Sequence, residues 1–274
     1  MLMKTIYTTL PIFDKLEKQV YQRARHAGMD QPKPIICPLN ELPSFQWLDN
    51  GDGCLSVSTI ELFDFYGNST LITGYFASLP ISHAITGDTY FVYIGGALNN
   101  SLPCGLGYLK ITMNNAKKYY SEWFDAEDVY NGIGYSSKYL IIDFTNTYDF
   151  GDIYYQSGFS QKLWFESETM ESSYPVEEEG AKDGRGRFIR TFARQTKKYL
   201  ARTVTMPDYM VDVFNRMRLH DTVTLTDLVG DTYDVYNLEV EHEWMGTDKY
   251  YAKIDLSFDY DETVVVSGCG NNFI

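Results

Sequence analysis

Alternation of apolar and polar residues is the main pattern of the chain between residue 44 and residue 170. The alternating runs are short, and glycine, asparagine and proline separate them. They are LSVSTIELFDFYG, STLITGYFA, TYFVYIG, GYLKITM, KYYSEWF, YLIIDFTN and IYYQSGFSQKLWFES. Because successive side chains of a strand point to opposite faces, such runs predict strands with one buried face. The separating residues recur at close to the roughly 8–12 residues that are typical of β-sandwiches.

The same alternation returns in the last part of the chain. The runs there are TVTLTD, YDVYNLEVEHEW and YYAKIDLSFDYD, and MGTDK is the predicted turn between the last two. One face of the final run is apolar: Ala252, Ile254, Leu256 and Phe258. The other face is polar: Lys253, Asp255, Ser257 and Asp259. This pattern predicts a closing β-hairpin with one face in the core.

Two segments follow a helical period instead. Near the N-terminus, the residues at helical spacing are Ile12, Phe13, Leu16 and Val20. Gly28 would end this short helix. In MPDYMVDVFNRMRL, Pro207 comes early. The apolar residues that fall on one face are Met210, Val211, Phe214 and Met217. This pattern predicts a short amphipathic helix near residues 207–219.

The segment between the first helix and the first strands is rich in proline. Its prolines are Pro32, Pro34, Pro38 and Pro43. This density predicts an extended arm without regular structure. We therefore expect a mostly β fold with two β-sandwich-like domains. The expected divisions are an N-terminal helix and arm over 1–43, a first β domain over 44–130, a second over 135–266 and a tail over 267–274.

Composition favours assembly over nucleic-acid binding. The chain has 274 residues with 23 Tyr and 16 Phe, and its net charge is −14 at pH 7. Aromatic side chains favour pleated surfaces and interfaces, because each buries a large area with few torsions to order. A strongly acidic chain is repelled by DNA and by anionic lipid. Contact with DNA is therefore expected only through a local basic stretch at residues 185–202.

The sequence offers no recognisable catalytic or metal-binding motif. Its four histidines are His26, His83, His220 and His242, and its four cysteines are Cys37, Cys54, Cys104 and Cys269. Neither set has metal-ligand spacing, and the cysteines are expected to be reduced thiols. The start of the chain lacks the pattern of a signal peptide, and no apolar run approaches the ~20 residues of a membrane span. We therefore expect a soluble, non-enzymatic chain with no cofactor and no membrane partner.

One segment concentrates charge. Eight of the 23 basic residues lie within residues 182–202, and three consecutive acids, Glu177, Glu178 and Glu179, precede them. A charged, solvated strand edge is one interpretation. A contact between the basic segment of one subunit and an acidic surface of the next is another, and a basic collar facing DNA is a third. The glycines that flank Arg185 predict a mobile loop.

Several segments carry a resemblance to a known family. They follow one another as LPCGLGYLKI with YYSEWF, then IYYQSGFSQKLWFES, YPVEEEG with a strand rich in Phe and Arg, PDYMVDVFNRMRLHDTV, and YDVYNLEVEHEW with its Cys-Gly tail. In this order and local pattern, the chain resembles a family of virion proteins of phages and prophages of gut Bacteroidetes. The resemblance covers most of the chain from about residue 44 onward. It implies a structural role in a phage particle and carries over no catalytic residue.

These observations lead to one main hypothesis. The chain is expected to be a non-enzymatic neck or tail protein of the virion, assembled in the cytoplasm of the host bacterium. It would form a homo-oligomeric ring and contact other phage structural proteins. The expected contact residues are Glu177, Glu178, Glu179, Arg185, Arg187, Arg190, Arg194, Lys197, Trp123 and Trp244.

Two alternatives belong to other classes of protein. A carbohydrate-binding β-sandwich could stack sugars on an exposed platform made by Tyr119, Tyr120 and Trp123. A glycoside hydrolase needs a pair of carboxylates, and the sequence singles out no such pair.

Overall fold

The computed structural model describes residues 10–26, 33–49, 56–82, 89–95, 102–129, 139–146, 160–246 and 249–266. Within these ranges the chain is mostly β, as the alternation predicts. The strands of the first half are β1 (Ile12–Phe13), β2 (Ile35–Pro38), β3 (Phe45–Asp49), β4 (Val57–Asp64), β5 (Ser69–Leu71), β6 (Phe76–Ser82), β7 (Thr89–Gly95), β8 (Gly105–Met113), β9 (Lys118–Ser121) and β10 (Phe124–Glu127).

The second half adds nine strands within the described ranges. They are β11 (Tyr139–Thr145), β12 (Gln161–Ser173), β13 (Val176–Lys182), β14 (Phe188–Thr203), β15 (Met206–Pro207), β16 (Thr222–Thr226), β17 (Thr232–Asp234), β18 (Tyr236–Met245) and β19 (Tyr251–Val266). The helices are α1 (Val20–His26) and α2 (Tyr209–Met217), and 3₁₀ turns form at Leu16–Lys18 and Thr73–Tyr75.

Sixteen of the strands belong to one hydrogen-bonded network, and β3, β7 and β6 form a separate sheet. Strand β2 joins the two halves of this network. It pairs in parallel with β10 and meets β12 antiparallel at Ile36 and Trp164. The prediction that the proline-rich segment lacks regular structure is therefore wrong over residues 35–38. Pro38 is tolerated because it ends the strand, where the missing N–H breaks little of the ladder, and all four side chains of β2 are buried.

The buried apolar residues of both halves form one main cluster, which extends from Leu10 to Phe258 in the chain. A smaller buried group packs around Trp164 and Tyr139. The mostly β, sandwich-like fold is confirmed. Because both halves contribute to one main cluster, the division into two domains, with boundaries at residues 43 and 130, stays a prediction.

The predicted N-terminal helix is wrong at its start. Ile12 and Phe13 form β1, which pairs with β9 through Ile12 and Ser121, and the α-helix begins only at Val20. Leu10 and Ile12 are both buried, with the half-buried Pro11 between them. Pairing with β9 therefore overrides the helical spacing of the apolar residues. The predicted end at Gly28, the residues 29–32 and the tail 267–274 lie outside the described residues.

The predicted second helix and closing hairpin are confirmed. Helix α2 buries its apolar face: Met210, Val211, Val213, Phe214 and Met217. The Asp208 carboxylate caps this helix by accepting a hydrogen bond from the Tyr209 backbone N–H at 2.8 Å. Phe214 meets the ring of Phe165 edge-to-face at 5.4 Å. On β19, the predicted inner residues Ala252, Ile254, Leu256 and Phe258 are all buried.

Candidate interaction arm

The charged segment builds a projecting hairpin. Strands β12 and β13 pair one after the other with the same edge of β14. Ser173 of β12 pairs with Lys198, and Val176 of β13 pairs with Gln195. Within the described residues, the opposite edge of β14 pairs with β19 as far as Phe192, which lies opposite Val266. Among the described strands, β13 pairs with β14 alone. We call residues 176–195 the arm, because residues 180–191 extend the sheet as a two-stranded ribbon among the described strands, while residues 192–195 still pair with β19.

The arm is exposed on both faces. Every residue of β13 is exposed, and so are the first four residues of β14. Phe188 and Ile189 retain 52% and 50% of their surface in contact with solvent. A two-stranded hairpin in water is only marginally stable by itself, so a partner that buried Phe188 and Ile189 would stabilise the arm.

The end of the arm is a well-bonded turn. The backbone N–H of Asp183 donates to the Arg187 carbonyl at 2.8 Å, and its carboxylate accepts from the backbone N–H groups of Arg185 and Arg187, each at 2.8 Å. Gly186 has a φ of +80°, which explains the glycine at this position. The glycines that flank Arg185 therefore belong to a tight turn, and the predicted mobility of this loop in the absence of a partner stays a prediction.

The arm brings the acidic run and the basic run face to face. Arg190 forms an ion pair with Glu178 at 2.5 Å, and Glu177 lies opposite Arg194 in the strand register. Lys182 and Arg185 have no ion-pair partner among the described residues. Residues 180–190 hold four basic residues and one acidic residue. The tip of the arm is therefore basic, while the charges nearer its base partly neutralise one another.

Lys197 lies at the base of the arm and contacts aromatic rings of its own chain. Its Nζ lies 4.5 Å from the ring centroid of Tyr260 and 5.8 Å from that of Tyr174. Tyr199 stacks on Tyr260 at 4.6 Å, and Tyr233 packs against both rings. These contacts pack the base of the arm against aromatic side chains of the core. The position of the Lys197 ammonium group over a ring is itself stabilising.

The proposed sugar-stacking platform is not exposed. Trp123 is only 5% exposed, and its Nε1 donates to the Gln19 side chain at 2.8 Å. Its ring contacts those of Tyr108 and Tyr21, and Tyr119 is also buried. The prediction of an exposed platform at Tyr119 and Trp123 is therefore wrong. The aromatic side chains of this hairpin bind the N-terminal segment to the body of the protein.

Trp244 is half-buried on β18, with the ring of His242 at 5.1 Å and the Nζ of Lys249 at 5.9 Å from its own ring. Its place at a partner contact stays a prediction. His242 itself is exposed, whereas His220 is half-buried against Phe144 and burial lowers its pKa. His83, Cys54, Cys269 and the side chain of His26 lie outside the described residues.

Two carboxyl groups that the sequence did not single out have raised pKa values. Glu122 is 1% exposed, and it accepts hydrogen bonds from the backbone N–H groups of Val20, Tyr21 and Trp123. Burial raises its pKa to about 7. Burial also raises the pKa of Asp208, the cap of α2. Both carboxyls bind backbone N–H groups near the start of a helix, so the structure gives each a structural role.

The described part of the chain contains no cluster of three or more His, Cys, Asp and Glu side chains that could bind a metal ion. None of its helices combines the length and apolar character that a membrane span requires. No family model, no curated protein and no solved structure matches this sequence.

Proposed function

We propose that the chain is a non-enzymatic structural protein of a phage particle, in which copies of it form a ring at the neck or tail and contact other virion proteins. The observation that carries this proposal is the arm, with a basic tip and with Phe188 and Ile189 half exposed. The resemblance of residues 44 onward to virion proteins of Bacteroidetes phages agrees with it.

The arm suits assembly for energetic reasons. Burying the remaining exposed half of Phe188 and of Ile189 contributes about 1 kcal/mol each. The edge of β13 that pairs with no described strand can add main-chain hydrogen bonds to a partner strand. In the proposed ring, the arm of one copy meets a different surface on the next copy. Such head-to-tail contacts produce closed rings or helical stacks.

The test is the mass of the protein in solution with and without the arm. Val176 and Gln195 are cross-strand neighbours, so residues 177–194 can be replaced by an Asn-Gly turn that closes the shorter hairpin. By analytical ultracentrifugation, the wild-type chain should be an oligomer and the shortened chain a folded monomer. As a matched control, Tyr66→Ala alters another exposed turn and should leave the mass unchanged. A wild-type chain that stays monomeric at its highest soluble concentration would refute ring formation.

Membership of the virion needs a separate measurement. Phage particles purified from bacteria that carry this coding sequence should contain the chain in several copies per particle, as measured by quantitative mass spectrometry. Particles without the chain would contradict the proposed location, even if the purified protein forms a ring.

Carbohydrate binding is the second candidate function. The observation that favours it is the turn after β4, where Tyr66 is 87% exposed and the neighbouring Phe65 is also exposed. A glycan array separates the candidates: specific binding by the wild-type chain that Tyr66→Ala abolishes would support adhesion. Absence of binding would leave assembly as the function that the arm supports.

A further inference from the structure

The sheet below the arm carries an acidic depression. Strands β12, β14, β19 and β18 lie side by side there, and the depression has a volume of about 430 Å³. The side chains that line it include Glu171, Leu200, Arg202, Glu239, Glu241 and Asp255. Two rows of cross-strand neighbours cross it. One row is Glu171, Leu200, Ser257 and Glu239, and the other is Thr169, Arg202, Asp255 and Glu241.

The carboxylates of this depression are only partly neutralised. Arg202 forms ion pairs with Glu243 and with Asp255. By contrast, the carboxylates of Glu171, Glu239 and Glu241 have no hydrogen-bond or ion-pair partner within the part of the chain that the structure describes. Leu200 lies in the same row as two of them and is 42% exposed. The depression therefore combines an exposed apolar centre with unpaired negative charge.

The tip of the arm has the complementary character. Lys182 and Phe188 are cross-strand neighbours and so lie on one face of the ribbon. Lys182 and Arg185 are the tip's unpaired basic residues among those described. A Cβ on Gly180 would lie 2.7 Å from the Phe188 ring, so this glycine lets the ring lie close against the ribbon.

The dimensions match as well. Neighbouring strands are about 4.8 Å apart, so Glu171 and Glu239, which are three strand spacings apart, are separated by about 14 Å. A two-stranded ribbon fits between them, with Phe188 over Leu200.

An arm cannot occupy the depression of its own chain. Phe188 and Leu200 both belong to β14, and the twelve residue steps of extended strand from one to the other span about 40 Å. Pairing with β13 and β19 holds this strand extended, with a β-bulge after Lys197, so the tip of the arm lies far from Leu200 of its own chain. An arm that fills the depression must therefore belong to a second copy.

We propose that the basic tip of the arm of one copy docks in the acidic depression of the next copy. Lys182 and Arg185 pair with Glu171, Glu239 and Glu241, and Phe188 packs on Leu200. Opposite charges give this contact its register, because a shifted arm would leave the carboxylates unpaired or place like charges together. The proposal rests on the proposed assembly and specifies which two surfaces meet.

A charge swap tests this pairing. The arm variant is Lys182→Glu with Arg185→Glu, and the depression variant is Glu239→Lys with Glu241→Lys. Each variant should self-associate roughly a hundredfold more weakly than the wild type, because like charges then oppose each other. An equimolar mixture of the two variants should assemble again, since each arm then meets a depression of opposite charge. Lys117→Glu with Lys118→Glu is the matched control, because it changes the net charge of the exposed β8–β9 turn by the same amount as the arm variant.

The outcomes are distinguishable, with circular dichroism verifying that each variant is folded. Assembly of the separate variants with wild-type affinity would overturn the docking while leaving the proposed ring intact. If each variant alone fails to assemble and the equimolar mixture also fails, the docking is overturned too. A monomeric wild type would overturn the ring itself, and the docking with it.

Discussion

Replacement of Glu122 by glutamine tests how the N-terminal segment is held. The carboxylate accepts the Val20 N–H at 2.6 Å through one oxygen, and the Trp123 and Tyr21 N–H groups at 3.1 Å and 3.3 Å through the other. Glutamine has one acceptor oxygen, so its NH₂ group would face a backbone N–H. Leaving a buried donor unsatisfied costs about 1–3 kcal/mol. We expect Glu122→Gln to lower the free energy of unfolding by that amount at about pH 8, where the carboxyl group is mostly ionised.

The raised pKa of Glu122 also predicts how the free energy of unfolding depends on pH. Burial raises the pKa of Glu122 from 4.5 to about 7, so between these values the folded state binds a proton that the unfolded state lacks. The wild type is therefore stabilised as the pH falls, and this contribution is lost as the pH rises through about 7. Lowering the pH from about 8 to about 5.5 should add about 2 kcal/mol to the free energy of unfolding, relative to a chain without the group.

The assay is urea unfolding of the wild type and Glu122→Gln, followed by tryptophan fluorescence at both pH values and at one protein concentration. The difference between the two pH dependences isolates Glu122, because the other carboxyls are common to both chains. The exposed Glu17 provides a control: Glu17→Gln should show the wild-type pH dependence. Equal pH dependence in the wild type and Glu122→Gln would refute the buried, proton-binding role.

Other predictions address the arm, the core and the thiols. Gly180→Val should disrupt the arm without lowering the thermal midpoint of the core, because its Cβ would lie 2.3 Å from the Ile189 carbonyl; hydrogen exchange of β13 would detect this, and wild-type protection there would contradict it. Phe214→Ala should cost about 3–5 kcal/mol in urea unfolding, since Phe214 is fully buried, and a smaller loss would mean that the core closes the cavity. Cys37 should react with iodoacetamide only after unfolding, because it is buried and burial raises the pKa of its thiol, whereas the exposed Cys104 should react in the native protein. Peptide mapping would show which thiol is labelled, and labelling of Cys37 in the native protein would refute the prediction.

Local pattern predicted the elements whose faces are set by the core. Strands β8 and β19 alternate because one face of each is buried, and α2 keeps its apolar residues on one side for the same reason. Residues 12–13 and 35–38 could not be assigned this way. Their strands exist because distant partners, β9 and β10, provide hydrogen bonds. Such pairing is not encoded in the short stretch itself.

For the candidate site, the sequence identified the charged residues but not their arrangement. The acidic run and the basic run are neighbours in the chain, yet only the hairpin register places Glu178 beside Arg190. Trp123 was expected at a surface, and the N-terminal segment covers it through Gln19. Glu171 and Glu239 are far apart in sequence and line one depression only because four strands align. The spacing of these residues in the sequence does not predict that alignment of strands.

The length of β14 gives the protein a mechanical property. This strand runs from Phe188 at the tip to Thr203 in the core, and eleven residue pairs, with one β-bulge after Lys197, join it to β19. A force along the strand loads all the hydrogen bonds between these pairs at once in shear. A force perpendicular to the strand would instead break them one after another. Tension between adjacent subunits along this direction would therefore be shared by all the hydrogen bonds between β14 and β19.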